Sequence, residues 1–217
     1  KIFFWLFGGI IALIFLLGIL LLLPPVQTYL AGIATTSLKK DTGVDIHLEK
    51  IAINIFGGVK IKEILIKDHH QDTLIAVGQL KTNLLDLKRW MDGKMIFGPI
   101  EANRMFLNII QYPNEKDSSL DQFVAVFDDG KPGSGKFLLT SDQLKIINSR
   151  FAMTDLNAEK PKDVDFRYLN ALVKDFTVKG PHVHGDIAQL RLRDYRGLDI
   201  TKMQREFYYT RTNMTVK

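Results

Sequence analysis

Three stretches of this sequence carry residue types that could do chemistry. Gly130-Lys131-Pro132-Gly133-Ser134-Gly135-Lys136 comes close to the phosphate-binding pattern GxxxxGK followed by Ser or Thr, in which backbone amides and the lysine hold phosphates and the hydroxyl meets magnesium. Phe137 stands where that hydroxyl is required. The loop also leads from a helical pattern into a strand pattern, the reverse of the strand-loop-helix context the motif needs, so it reads as a glycine-rich linker. His182 and His184, spaced i, i+2, would share one face of a strand, which is ligand geometry for zinc, but the sequence around them indicates no third ligand. Asp68, His69, His70 and Asp72 fall where a polar hairpin turn is expected and are read the same way. No Ser, Cys or paired-carboxylate constellation supplies a nucleophile with its base. The expectation is a protein that is not an enzyme and takes no metal and no cofactor.

The elements that position these residues begin with an uncharged run, Ile2 to Leu23. At about 1.5 Å per residue it makes a helix about 33 Å long, enough to cross a hydrocarbon core of about 30 Å. A cleavable secretory signal is the rival reading. The run is too long for a signal core, and Leu20–Leu23 passes directly into Pro24 and Pro25 with no small-residue cleavage site. A retained, single-pass anchor over residues 1–23 is expected, with the N-terminus cytoplasmic and the bulk across the membrane. The net charge of +5 comes from 29 basic and 24 acidic residues dispersed along the chain, without the clustered Lys and Arg of a nucleic-acid footprint. Cysteine is absent, so disulfides and thiolate metal sites play no part. The first residue is Lys and the last residues still alternate in strand fashion, so the chain is read as part of something longer.

Pro24 and Pro25 should end the membrane helix. Val26, Tyr29, Leu30, Ile33, Ala34 and Ser37 then repeat at helical spacing, with Lys39, Lys40 and Gly43 as stop signals, and predict an amphipathic linker helix over 24–43. Such a helix could lie on the membrane interface or plug one end of the next domain; its polar face has no basic residue before Lys39, which favours the plug.

From Val44 the period becomes 2. Val44, Ile46 and Leu48 alternate, the phase slips at Glu49 and Lys50, and Ile51, Ile53 and Ile55 resume it. Phe56-Gly57-Gly58 reads as a hairpin into Val59–Lys67, with a second slip near Lys62 and Glu63. Further strands are expected at 73–80, 94–102, 104–112, 137–139, 144–147, 150–154, 166–179, 182–193, 197–202 and 206–217, with a turn at Asn148 and Ser149. A short helix is expected around Leu84–Trp90, and another begins at a capping box of Ser119 with Gln122. The fold class is mainly β: an N-terminal transmembrane helix, a short amphipathic helix, and over 44–217 an antiparallel meander. A meander with one apolar face must cover it with a second sheet, by closing a barrel, or with a ligand such as acyl chains.

In this order, anchor, short helix, then Thr42–Ile110, the chain resembles the N-terminal region of the AsmA-like superfamily, and within it the translocation and assembly module (TamB) family. The resemblance rests on Thr42, Gly43, Gly57, Gly58, Leu84, Leu85, Gly93, Gly98 and Pro99; it covers Lys1 to about Gln111 best, and residues 164–200 share its texture. It implies an inner-membrane protein of a diderm bacterium whose bulk lies in the periplasm as a β-sheet curled into an elongated apolar groove, β-taco-like, continuing past the end of this chain. It further implies phospholipid transport towards the outer membrane, and outer-membrane protein assembly with an Omp85-type partner engaged through regions outside this chain. The expected groove lining is Ile51, Ile53, Ile55, Val59 and Ile61, with Ile64 and Ile66 on the phase-shifted continuation. The alternative is a structural tether for the assembly factor that carries no lipid.

Overall fold

The structure, a computed structural model, describes residues 20–83, 94–126, 138–158, 162–179, 182–197, 199–200, 205–210 and 213–216. Most of the expected membrane helix, the helix expected near Leu84–Trp90 and the loop Gly130–Lys136 lie outside them. Among the described residues no helix is long and apolar enough to cross a membrane.

The first full element is helix α1 (Pro24–Thr42). Pro24 and Pro25 occupy its first turn, where an amide proton would have no partner in any case, so the proline pair starts this helix as well as interrupting the apolar run before it. It stops at Gly43, whose φ of 77° is left-handed and favours a residue without a Cβ, and whose N–H donates to Lys39 O at 2.8 Å. Strands β1 (Asp45–Ile53), β2 (Gly58–Lys67), β3 (Thr73–Asn83), β4 (Lys94–Phe97) and β5 (Ile100–Gln111) follow; then come helix α2 (Ser119–Ala125) and strands β6 (Leu138–Asp155), β7 (Lys162–Lys179), β8 (His182–Asp194), β9 (Asp199–Ile200), β10 (Arg205–Thr210) and β11 (Asn213–Val216). All eleven strands join one open sheet in the order β1-β2-β3-β5-β6-β7-β8-β10-β11, with β4 beside β6 and β9 beside β8.

The sheet is mixed, which corrects the expectation of an antiparallel meander. β4 and β5 both run parallel to β6, and a parallel pair needs a crossover connection, here the one containing α2. The helix is capped by Ser118 and not Ser119: Ser118 Oγ accepts from Asp121 N at 3.2 Å while Asp121 Oδ2 accepts from Ser118 N at 3.2 Å. Ser119, fully buried, instead accepts from Ile110 N at 2.9 Å and ties the helix to β5.

The expected breaks inside the long strands turn out to be kinks in continuous ones. Glu63, Arg104, Asn148 and Tyr168 have φ of 49°, 54°, 47° and 53°. Register places them at one height. Glu49 faces Glu63 between the pairs Leu48–Ile64 and Lys50–Lys62, Glu63 faces Gly78, and Gly78 faces Arg104. Arg104 and Met105 then face Asn148 and Ser149, and Tyr168 lies at the register shift that follows in β7. A crease thus crosses the sheet perpendicular to its strands. A single kinked strand would lose register with its neighbours; with Glu63, Arg104 and Asn148 kinked at one height, the pairings from β1 to β6 resume the same register on the far side. Gly78 leaves room for the Arg104 guanidinium to lie across β3 and reach Glu63 at 3.2 Å, since a Cβ there would stand 2.5 Å from Arg104 Nη2.

Helix α1 packs along β1, and with its polar side. Gln27 Nε2 donates to Ile53 O at 2.8 Å while Gln27 Oε1 accepts from Ile53 N, and Thr28 Oγ1 accepts from Ile51 N at 3.1 Å, its own proton having Pro24 O at 2.9 Å as a nearer acceptor than Ile51 O at 3.3 Å. Ile53 N, Ile53 O and Ile51 N are edge-facing backbone groups at the end of β1, and two side chains satisfy them as a neighbouring strand would. The apolar side is left outward: Tyr29, Leu30 and Ile33 are 70%, 46% and 49% exposed. The helix covers the β1 end of the sheet with its polar side, because an edge strand offers unpaired N–H and C=O groups that an apolar helix face cannot satisfy.

Two outcomes follow. Asn148 makes no side-chain contact that its left-handed backbone depends on, so Asn148→Val should lower stability by about 2 kcal/mol whereas Asn148→Gly should change it by under about 1 kcal/mol, measured by denaturant unfolding. Replacing both Gln27 with Leu and Thr28 with Val removes the edge cover; at about 0.5–1.5 kcal/mol per hydrogen bond the loss is measurable by unfolding, and chain association through β1 should rise in light scattering.

Candidate functional site

Between the crease and the Gly98-Pro99 break, one face is almost wholly apolar and the other mixed. Directly paired residues of neighbouring strands share a face, so the register defines rows across the sheet. One row is Ile51, Ile61, Leu80, Ala102, Ile146, Ala171 and Leu190. The next row on the same face joins Ile53, Val59 and Thr82 with Ile100, Leu144, Val173 and Ile187. Thirteen of these fourteen positions are apolar and Thr82 is the fourteenth. The opposite face at the same height carries Ala52, Lys60, Lys81, Glu101, Lys145, Leu172 and Gln189, and beside them Lys50, Lys62, Gln79, Asn103 and Ile147. With strands about 4.8 Å apart, each apolar row runs about 29 Å across seven strands.

The expected lining residues distribute as follows. Ile51, Ile53, Val59 and Ile61 lie in these two rows, all half-buried. Ile64 and Ile66 lie beyond the crease in rows that are also apolar: Leu48, Ile64, Val77 and Met105, then Ile46, Ile66, Ile75, Leu107, Phe151 and Phe166, the last two with rings stacked at 5.9 Å. Ile55 is in the turn after β1 and is 69% exposed. Sequence reasoning stopped at β2; the continuation through Leu80, Ile100, Leu144, Ile146 and Leu190 required the register, although the alternation within each of those strands was the signal that could have found it. An open cavity of about 580 Å³ is lined at β6–β8 by Ile146, Ala171 and Leu190 together with Lys145, Asn170, Gln189 and Arg191.

A second grouping sits at the far end of β2 and β3. His69 Nε2 and His70 Nε2, on the turn 68–72, lie 2.9 Å and 2.8 Å from Glu115 Oε2 and Oε1, on the segment between β5 and α2. Tyr112 OH donates a proton shared between Asp68 Oδ2 and Asp72 Oδ2, each at 2.8 Å. Burial, then these two carboxylates, push the phenol well above its ordinary range, while the His70 and His69 imidazoles hold the Glu115 carboxyl below its own. His182 and His184 fall on β8 as expected, and among the described residues no third ligand converges on them.

Buried carboxylates pin the same end of the later strands. Asp165 accepts from Arg150 Nε at 2.7 Å and Nη2 at 3.0 Å and from Arg167 Nε at 2.9 Å, and Arg150 in turn lies 4.9 Å over the Phe106 ring. Asp194, 1% exposed, accepts from Arg196 Nε, Nη2 and N, which pulls its carboxyl down to about 2. An unfolded Asp titrates near about 3.9, so this stabilisation is complete above about pH 4 and is lost as pH falls towards 2. Asp194→Asn should therefore lower the thermal midpoint at pH 7, and the gap from the parent chain should close between pH 4 and pH 2 in a pH series of melts. No protein-family model matches the chain, and no curated protein sequence matches it.

Proposed function

We propose that the protein shields phospholipid acyl chains along the two apolar rows of its sheet and passes them away from the membrane in which Ile2–Leu23 is anchored. The single observation that supports this reading is the pair of rows running across seven strands, apolar on one face and rich in lysine on the other. A row perpendicular to the strands lengthens with every strand added, so its apolar surface is continuous along the direction in which the sheet grows. The row residues on β1 and β2 are half-buried and not sealed. Burying them against hydrocarbon is favourable by about 25 cal/mol per Å².

The start of the rows also suits the role. β1 is hydrogen-bonded to α1, which follows the exposed Leu20–Leu23 and turns Tyr29, Leu30 and Ile33 outward, a side fitted to a bilayer surface. Lipid would enter beside β1 at the inner membrane, with the bulk of the sheet in the periplasm as a β-taco-like groove and headgroups riding at its open side. Delivery towards the outer membrane with an Omp85-type assembly partner, as in the TamB-like reading, completes the proposal.

Photo-crosslinking residues at Ile53, Ile61 and Leu80 should capture phospholipid in cells, and ones at Lys60 and Lys81, at the same height on the other face, should not. Equal capture on both faces, or none on either, would sink the assignment and leave the tether role.

A further inference from the structure

We infer that His69, His70 and Glu115 form a binding site for a first-row divalent transition metal ion, zinc(II) by preference. Two imidazole nitrogens are aimed at the two oxygens of one carboxylate, and one ligand atom from each residue lies within 4.8 Å of the others. Tetrahedral zinc with bonds of about 2.0–2.1 Å separates its ligand atoms by roughly 3.3 Å. The two imidazole–carboxylate contacts, at 2.9 Å and 2.8 Å, need to open only slightly to admit the ion. Two nitrogens and one oxygen suit zinc and its neighbours and not magnesium or calcium, which take oxygen sets. The fourth position opens to solvent, since the three side chains are 31%, 45% and 27% exposed.

The surroundings hold the ligands in place as an outer shell does. Gln122 Nε2, on α2, donates to Glu115 Oε2 at 2.8 Å, and Gln111 Nε2 donates to the Glu115 carbonyl at 2.6 Å. The Tyr112 ring stacks on His70 at 3.9 Å and meets His69 edge-on at 5.4 Å. Asp68 Oδ1 accepts from the amides of His70 and Asp72, both at 2.9 Å, which fixes the turn that carries both histidines. A bound ion would clip that turn to the segment leading into α2, and so fasten the crossover to the antiparallel half of the sheet. Clipping two segments far apart in sequence stabilises the fold by mass action.

The test uses the full chain in detergent, stripped with a chelator and titrated with Zn²⁺ against a chromophoric competitor. One equivalent should bind, at least tenfold more weakly in His70→Asn and in Glu115→Gln and unchanged in His182→Asn. Zn²⁺ should raise the thermal midpoint of the parent chain and not of those two variants. Binding to either variant within threefold of the parent, or loss in His182→Asn instead, would overturn the site. Carbethoxylation of the unaltered chain provides a readout independent of variant folding: Zn²⁺ should protect His69 and His70 and leave His182 reactive, and the absence of that protection would also overturn it.

Discussion

A strand alternates its side chains with a period of two, so any residue that leaves the extended conformation throws everything beyond it onto the other face. This sheet meets that constraint by setting the kinks of β2, β5, β6 and β7 along one line across it. Glu63, Arg104, Asn148 and Tyr168 each take a positive φ, at a cost of about 1–3 kcal/mol for a residue with a side chain. Because the kinks lie side by side, the pairs Leu48–Ile64, Val77–Met105 and Phe106–Arg150 resume the register that Lys50–Lys62, Gln79–Asn103 and Asn103–Ile147 had before them. The change of face is collective, and the apolar rows survive it on both sides. A sheet without the crease would have to choose between its ladder and its apolar pattern.

The crease also explains what was legible in the sequence. The slips at Glu49–Lys50 and Lys62–Glu63 and the turn signal at Asn148–Ser149 are all points on it, read from one strand at a time as bulges or turns. Alternation alone cannot say whether a slip ends a strand or bends it; that depends on whether the next strand bends at the same height. β6 is therefore one strand of 18 residues where three short ones were expected. The parallel pairing of β5 with β6 was hidden for a related reason, since α2 has only seven residues and announces a cap more clearly than a crossover.

Long-range polar contacts were the least legible part. Gln27 and Thr28 look like ordinary residues on the polar side of a helix, and nothing in their types marks them as partners of a strand edge. What decides the matter is that a backbone edge is a row of donors and acceptors, so the polar side has the stronger claim on it. Glu115 is the same lesson at the histidine cluster. The turn Asp68–Asp72 offers two imidazoles and no third ligand nearby in sequence, and the carboxylate arrives from 45 residues away only because β2, β3 and β5 are neighbours.

These features together give the sheet a direction. The Ile51–Ile53 end of one edge is covered by side chains of α1, which also leads back to the apolar N-terminal run, so further strands add more readily away from β1. Each added strand extends the apolar rows by about 4.8 Å if its own alternation agrees with theirs. That requirement falls on pairing partners and not on particular residues: Ala102 and Ala171 serve in the first row beside Ile146 and Leu190. A surface specified this loosely fixes an apolar character along the rows without fixing any one shape, so its tolerance is for volume and its intolerance is for charge.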